Sequence, residues 1–246
     1  MKSVGIIPAR YASTRFPGKP LAIIDGKLMI ERVYEQCLKS ALDLVVVATD
    51  DDRIAQAVHN FGGKAMLTSP LHPSGTDRCG ETAQKLHLEN QDIIINIQGD
   101  EPFIQPEEIN ALVHLFQNKE IQIATLISEI KELEKVHDPN VVKALIRKDR
   151  SAIYFSRLPV PFQREANAEN IVYHRHIGIY AYTNEVLQAI IKLPESMLEK
   201  SEKLEQLRWI ENGYRIHTAD CNHIAIAIDT PQDLQTANLY IQNTKL

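Results

Sequence analysis

Asp92-Ile93-Ile94-Ile95-Asn96-Ile97-Gln98-Gly99-Asp100-Glu101-Pro102 runs from an unbroken apolar stretch into two acids and a proline. A continuous apolar run, rather than an alternation, predicts a strand covered on both faces, as in a mainly parallel sheet packed between helices. Outward from it, residues 4–9, 44–49 and 121–127 read as further strands. Between them Ile30, Val33, Tyr34, Cys37 and Leu38 follow a helical stripe, and Ile109, Leu112, Val113 and Phe116 repeat it. Strand and helix alternating in this way predict an α/β fold.

After about residue 130 the pattern changes. Strand-like residues 141–146, 152–155 and 177–182 lie close together, with a polar, irregular segment at 164–170 between the last two, and predict an antiparallel addition or flap. Helices are expected at 185–193 and 201–212, the second closed by Gly213 as a C-cap. Residues 224–228 read as one more buried strand, after which Asp229-Thr230-Pro231 opens the last helix with a capping side chain and a proline in its first turn. The sequence contains no internal repeat, linker or low-complexity tract.

The 246 residues, 44% of them hydrophobic, are enough for a sizeable core, and a net charge of −5 excludes an overall basic field for nucleic acid or an anionic membrane. Any anionic ligand must therefore be met locally. Cys37, Cys79 and Cys221 are odd in number and widely spaced, which predicts buried reduced thiols rather than disulfides or a thiolate metal site. The opening apolar run is too short for a secretory signal and is broken by Pro8, and no window approaches the ~20 apolar residues of a membrane span. A cytoplasmic protein is expected.

The connection after the first strand, Pro8-Ala9-Arg10-Tyr11-Ala12-Ser13-Thr14-Arg15-Phe16-Pro17-Gly18-Lys19-Pro20, concentrates positive charge. With Lys2 it gives residues 1–24 four cations and no carboxylate, in a loop that leaves the carboxyl end of the first strand, the end where open α/β sheets bind ligands. The segment lacks GxGxxG, and Pro20 follows Gly18-Lys19 where a P-loop has Ser or Thr. What remains is a side-chain clamp for a polyphosphate, or a solvated basic loop. Asp100 and Asp229 each end an apolar strand, where a carboxylate holds Mg²⁺ or simply begins a turn or caps a helix. Ser74-Gly75-Thr76-Asp77-Arg78 precedes a helix that Thr76 or Asp77 can cap, and reads either as a plain capping turn or as a place where small residues let a ligand approach backbone amides. His174 and His176 share a strand face, as a metal pair or as two half-buried histidines. Glu205-Gln206 lies on a helix and by itself reads as solvent-facing.

Taken together, these segments resemble the 3-deoxy-manno-octulosonate (Kdo) cytidylyltransferases. The matching pieces are residues 6–10 and 17–21, Val47-Ala48-Thr49-Asp50, residues 74–78, Asn96 through Pro102, and Asp138-Pro139-Asn140. They continue through Tyr154-Phe155-Ser156-Arg157, Arg175-His176-Ile177-Gly178-Ile179-Tyr180, Leu204-Glu205-Gln206-Leu207-Arg208 and Asp229-Thr230-Pro231, in order from end to end. The early loop and central acid are shared by sugar nucleotidyltransferases generally; Arg-His-x-Gly-Ile-Tyr and Leu-Glu-Gln-Leu-Arg point to the Kdo branch. Leu28 stands where the family usually has Pro, and Ala225 and Ala227 depart from its small or glycine residues.

The resemblance implies a nucleotidyltransferase (Rossmann-like) α/β fold, a mixed and mostly parallel sheet flanked by helices. It also implies one domain over residues 1–246, with an inserted antiparallel sugar-binding and dimer-forming region at about 130–213, and a homodimer. The implied activity transfers CMP from CTP to the anomeric hydroxyl of Kdo, releasing pyrophosphate, for lipopolysaccharide biosynthesis. Asp100 and Asp229 are then Mg²⁺ ligands, and Arg10, Arg15 and Lys19 meet the triphosphate. Pro8, Ala9, Ser74, Gly75 and Arg78 fall on the nucleoside side, and Gln98, Arg157, His176, Tyr180, Glu205 and Gln206 on the sugar side. CTP and Kdo are the expected partners, with neither nucleic acid nor membrane. The alternatives are a cytidylyltransferase for another keto sugar acid and a non-catalytic CTP-binding regulator.

Overall fold

The computed structural model describes residues 1–12, 16–165, 171–221, 228 and 230–244, the last three of these by backbone alone. In chain order the strands are β1 (Ser3–Ala9), β2 (Ile23–Ile24), β3 (Lys27–Leu28), β4 (Leu44–Thr49), β5 (Ala65–Leu67), β6 (Ile93–Asn96), β7 (Ile123–Glu129), β8 (Lys143–Ile146), β9 (Ala152–Ser156), β10 (His174–Thr183) and β11 (Ile216–Asp220). The helices are α1 (Met29–Leu38), α2 (Asp52–Asn60), α3 (Gly75–Lys85), α4 (Pro106–Leu115), α5 (Leu133–His137), α6 (Asn184–Ile190), α7 (Met197–Glu202), α8 (Gln206–Glu211) and α9 (Pro231–Thr244).

The isoleucine run behaves as its composition predicts. Ile93 and Ile95 pack on one face of the sheet with Ile30, Val33 and Ile109 from α1 and α4, and Ile94 packs on the other with Cys79, Leu187 and Trp209 from α3, α6 and α8. Both faces are covered because a half-exposed strand of this sequence would leave apolar surface in water, at about 25 cal/mol per Å². The main sheet has the order β11-β7-β10-β6-β1-β4-β5. Strand β1 pairs in parallel with β4 and β6, β4 with β5, and β7 with β11, so the sheet is mixed and mostly parallel, as expected.

Three features depart from the pattern read in the sequence. The antiparallel strands after residue 130 do not all lie outside the sheet: β8 and β9 extend it, but β10 runs antiparallel between β6 and β7 at its centre. The helix expected over 201–212 is two helices, because Lys203 adopts a left-handed conformation (φ 54°) and ends α7. Strand β11, parallel to β7, was not anticipated, since His217 interrupts its short apolar run and only Ile216 and Thr218 face inward. The strand expected at 224–228 lies, apart from Ile228, outside the described residues, as do Ala225, Ala227 and residues 166–170 of the polar segment. Helix α9 opens as expected, with Thr230 Oγ1 accepting from Asp233 N (3.2 Å) and Asp233 Oδ2 accepting in turn from Thr230 N (2.8 Å). All three cysteines are free and buried.

Candidate active site

Sheet order decides where a cleft opens. From β1 the chain winds one way through β4 and β5 and then returns to β6 on the other side of β1. The loops leaving β1 and β6 therefore diverge, and the crevice between them is the usual ligand position of such sheets. The two strand ends are held together by Ile97 N donating to Ile6 O (3.0 Å). A side chain at Gly99 would put its Cβ 3.2 Å from Pro8 O, so glycine is what lets the loop after β6 lie against the end of β1. The β1 loop folds back as Gly18, at φ 71°, donates its N–H to Tyr11 O (2.9 Å), which swings Lys19 toward β6.

One cavity of about 260 Å³ lies there, lined among others by Pro8, Ala9, Arg10, Lys19, Ser74, Gly75, Arg78, Gln98 and Asp100. These are nine of the expected residues, drawn from three separate loops. Lys19 Nζ and Asp100 Oδ2 are 2.6 Å apart, a partly exposed pair of opposite charges. Ser74 caps α3, its Oγ 2.6 Å from Asp77 Oδ2 and 3.0 Å from Glu205 Oε1, with one proton to share between them. Arg78 is buried, its guanidinium turned to the Thr68 hydroxyl and, at 3.4 Å, to Asp50. His72 also lines this cavity and is bonded to Glu81. Burial opposes the ionised form of Glu81, but Lys85, the Ser69 amide and His72 outweigh it and hold the carboxyl at about 2.

A second cavity, of about 410 Å³, shares Gly75, Gln98 and Asp100 with the first and extends beside β10. Five of the six residues that the resemblance assigns to the sugar side, Gln98, His176, Tyr180, Glu205 and Gln206, line it together with Thr76, Asn96, Asn140 and Arg175. A β-bulge between Ile177 and Tyr180 shapes its wall, and Thr125 Oγ1 reaches the bulge carbonyls of Ile177 (3.1 Å) and Ile179 (2.8 Å). Gly178, at the bulge, accepts from Gln98 Nε2 at 3.1 Å.

His176 Nε2 lies 3.1 Å from Thr125 Oγ1. With the hydroxyl proton committed to a carbonyl, Nε2 carries the imidazole proton and donates, leaving Nδ1 an acceptor. Burial, aided by Arg175, lowers the His176 pKa to about 3, so the ring is neutral at ordinary pH. Burial raises Glu205 against the hydrogen bonds from Thr76 (2.8 Å) and Ser74. Burial, then Asp100 and Glu108, push Glu101 up to about 8.

Arg157 does not join either cavity. Its guanidinium donates to the carbonyls of Glu202 (2.7 Å), Pro139 (2.9 Å) and Lys203 (3.5 Å), which ties the α7–α8 loop to the segment before β8. Arg15 and Asp229 lie outside the described residues. Ile228 N, however, donates to Asp100 O at 3.0 Å. Among the described residues no three His, Cys, Asp or Glu side chains form a metal cluster. Sequence reasoning missed Asn96, Asn140, Arg175 and His72 as cavity residues. Asn96 had carried a signal, as the one polar residue inside an apolar run.

The cytidylyltransferase family model matches residues 4–216. The 3-deoxy-manno-octulosonate cytidylyltransferase of Bacteroides thetaiotaomicron is 51% identical over 99% of this chain and 99% of its own length, and that of Parabacteroides distasonis is 49% identical over the same shares. A solved CMP:2-keto-3-deoxy-manno-octonic acid synthetase complexed with CTP superimposes with a TM-score of 0.94 at 43% identity, covering 99% of this chain and 100% of that one. A Leptospira borgpetersenii cytidylyltransferase structure, 16% identical with a TM-score of 0.65 over 99% of this chain and 87% of its own, shares the fold alone. With the match running through both cavities and the strands that build them, the chain belongs to the cytidylyltransferase family, in the group of the 3-deoxy-manno-octulosonate cytidylyltransferases.

Proposed function

We propose that this chain transfers CMP from CTP to the anomeric hydroxyl of Kdo, giving CMP-Kdo and pyrophosphate and so activating Kdo for lipopolysaccharide assembly. The observation that carries this reading is the junction of two cavities at Gly75, Gln98 and Asp100, one bearing Arg10 and Lys19, the other bearing Arg175 among hydrogen-bonding groups that include the carboxyls of Glu101 and Glu205. A nucleotide in the first and a sugar acid in the second would meet at that junction.

In the reaction the anomeric oxygen forms a bond to the α-phosphorus as the bond to pyrophosphate breaks on the opposite side, and the hydroxyl proton passes to solvent. Such a displacement needs alignment and charge neutralisation more than covalent chemistry from the protein. Arg10, Arg15 and Lys19 neutralise the triphosphate, and Pro8, Ala9, Ser74, Gly75 and Arg78 wall the nucleoside. Gln98, His176, Tyr180, Glu205 and Gln206 hold the sugar hydroxyls, and the Arg175 fork suits the sugar carboxylate. His176, being neutral, offers a lone pair to a hydroxyl. Arg157 serves the sugar side indirectly, by fixing the loop that leads to Glu205 and Gln206.

The donors suit Mg²⁺, which takes hard oxygen ligands from one or two carboxylates and from substrate phosphates. Asp100 lines both cavities, and the hydrogen bond of Ile228 to its carbonyl supports pairing it with Asp229. Bound there, the ion supplies positive charge to the phosphates. The working form is a cytoplasmic homodimer joined through residues 130–213, a reading supported by exposed Leu158, Phe162 and Val172 in that region. Among the described residues no helix is long and apolar enough to cross a membrane.

Pyrophosphate release, measured across the four nucleoside triphosphates with Kdo, sialic acid and related keto acids, tests the proposal. Turnover confined to CTP and Kdo is expected. Faster turnover with another sugar acid would reassign the substrate, and CTP binding without pyrophosphate from any acceptor would make the chain a regulator.

A further inference from the structure

Strand β6 places an asparagine amide where its neighbours are isoleucines. Ile93, Ile94 and Ile95 are fully buried, Ile97 follows them, and Asn96 is itself only 3% exposed. Asparagine is disfavoured in strands, and a buried amide that lacks a partner destabilises the fold. Yet Asn96 Oδ1 has no hydrogen-bond donor among the described residues. Nothing in the packing of the sheet calls for it.

Two more polar atoms share this condition in the same cavity. Tyr180 OH and Gln206 Nε2 are buried without partners among the described residues, and Tyr180 is the cross-strand partner of Asn96 in β10. A Cβ built on Gly75 would stand 4.0 Å from Asn96 Oδ1 and 3.1 Å from Pro8 Cγ. Since Gly75 belongs to both cavities, Asn96 lies at the end of the sugar cavity next to the nucleotide wall. An acceptor oxygen, a donor nitrogen and a phenol, all without a partner among the described residues and set around one space, form the complement of a polyhydroxylated ligand.

We infer that Asn96 is a substrate-contacting, specificity-determining residue: its side-chain oxygen accepts a hydrogen bond from a hydroxyl of the sugar acid at the nucleotide end of the cavity. This rests on the reading of the second cavity as the Kdo site. A site built to pair a hydroxyl rejects an analogue lacking it, because the buried acceptor is then left alone.

The test compares wild type, Asn96→Leu and Asn96→Thr in thermal unfolding and in steady-state kinetics with CTP and with Kdo and its monodeoxy analogues. Asn96→Leu is expected to keep or raise the Tm while kcat/KM for Kdo falls about tenfold or more and KM for CTP stays within about twofold. Wild type discriminates against one monodeoxy analogue, and Asn96→Leu no longer does. Asn96→Thr, which keeps an acceptor oxygen on a strand-favouring residue, recovers part of the loss and remains measurable if the leucine variant folds poorly. A Tm loss in both variants with unchanged kcat/KM for Kdo, or discrimination among the analogues that survives the substitution, would overturn the inference while leaving Kdo as the substrate. Absence of Kdo turnover in the wild type would instead overturn the substrate reading, and this inference with it.

Discussion

Lys19 and Asp100 touch at 2.6 Å, so a change at either also releases the charge of the other into the cavity they share. Asp100→Asn is expected to lower kcat by at least ~10²-fold, the usual effect of losing one preorganised electrostatic contact, about 2.7–4 kcal/mol. Steady-state kinetics at saturating Mg²⁺ checks this, and wild-type turnover would remove Asp100 from the chemistry. Lys19→Ala is expected to lower kcat/KM for CTP with the Tm preserved; an unchanged value would separate Lys19 from the triphosphate. Both residues were visible in the sequence as candidates, Lys19 in a cationic loop without carboxylates and Asp100 at the end of an apolar strand, and the resemblance favoured a site role over a solvated loop or a turn. Arg157 was not legible as a loop tie, because its partners are backbone carbonyls and a carbonyl leaves no mark on the sequence. Arg175 stood in a quoted motif, but only the sheet's centre reveals that its strand flanks the cavity.

Strands β1, β4 and β6 and helices α1 and α4 were readable because their periodicity is local and uninterrupted. The position of β10 was not, since neighbours in a sheet are chosen by long-range packing: its buried Ile179, Ala181 and Tyr182 suit a central strand as well as a flap. That placement makes the bulge a structural dependency of the second cavity, the proposed sugar side. Thr125→Val is expected to cost about 1–3 kcal/mol by stranding the groups its hydroxyl meets. It should also raise KM for Kdo more than KM for CTP, since His176 and Gly178 sit on the bulged strand. Urea unfolding and paired KM measurements check both, and equal effects on the two substrates would contradict the bulge's role. The break after α7 carries a separate prediction. Lys203 has a left-handed backbone, so Lys203→Gly should relieve strain and raise stability by up to about 1 kcal/mol without altering turnover. A lower urea midpoint would count against it.

At the scale of the molecule, buried titratable groups set opposite limits on stability. Glu101 shifts from an ordinary 4.5 to about 8, so between those values the folded chain keeps a proton that the unfolded chain releases, and stability falls as pH rises through the window. His176 shifts from 6.5 to about 3, and between those values the unfolded chain binds a proton that the folded one refuses, so stability falls as pH drops. Glu81, held at about 2, adds to the loss below its ordinary 4.5. Glu101→Gln is therefore expected to flatten the decline in Tm between about pH 6.5 and 8; an unchanged slope would mean that Glu101 ionises freely in the fold. On the proposed reading the two joined cavities act as one, with sugar and nucleotide reacting directly and no covalent intermediate on the chain. The most direct measurement is the stereochemical course at phosphorus with CTP made chiral by sulfur at the α-position and Kdo as acceptor. A single in-line displacement predicts inversion of configuration in the CMP-Kdo product, and retention would contradict the account by requiring two successive displacements.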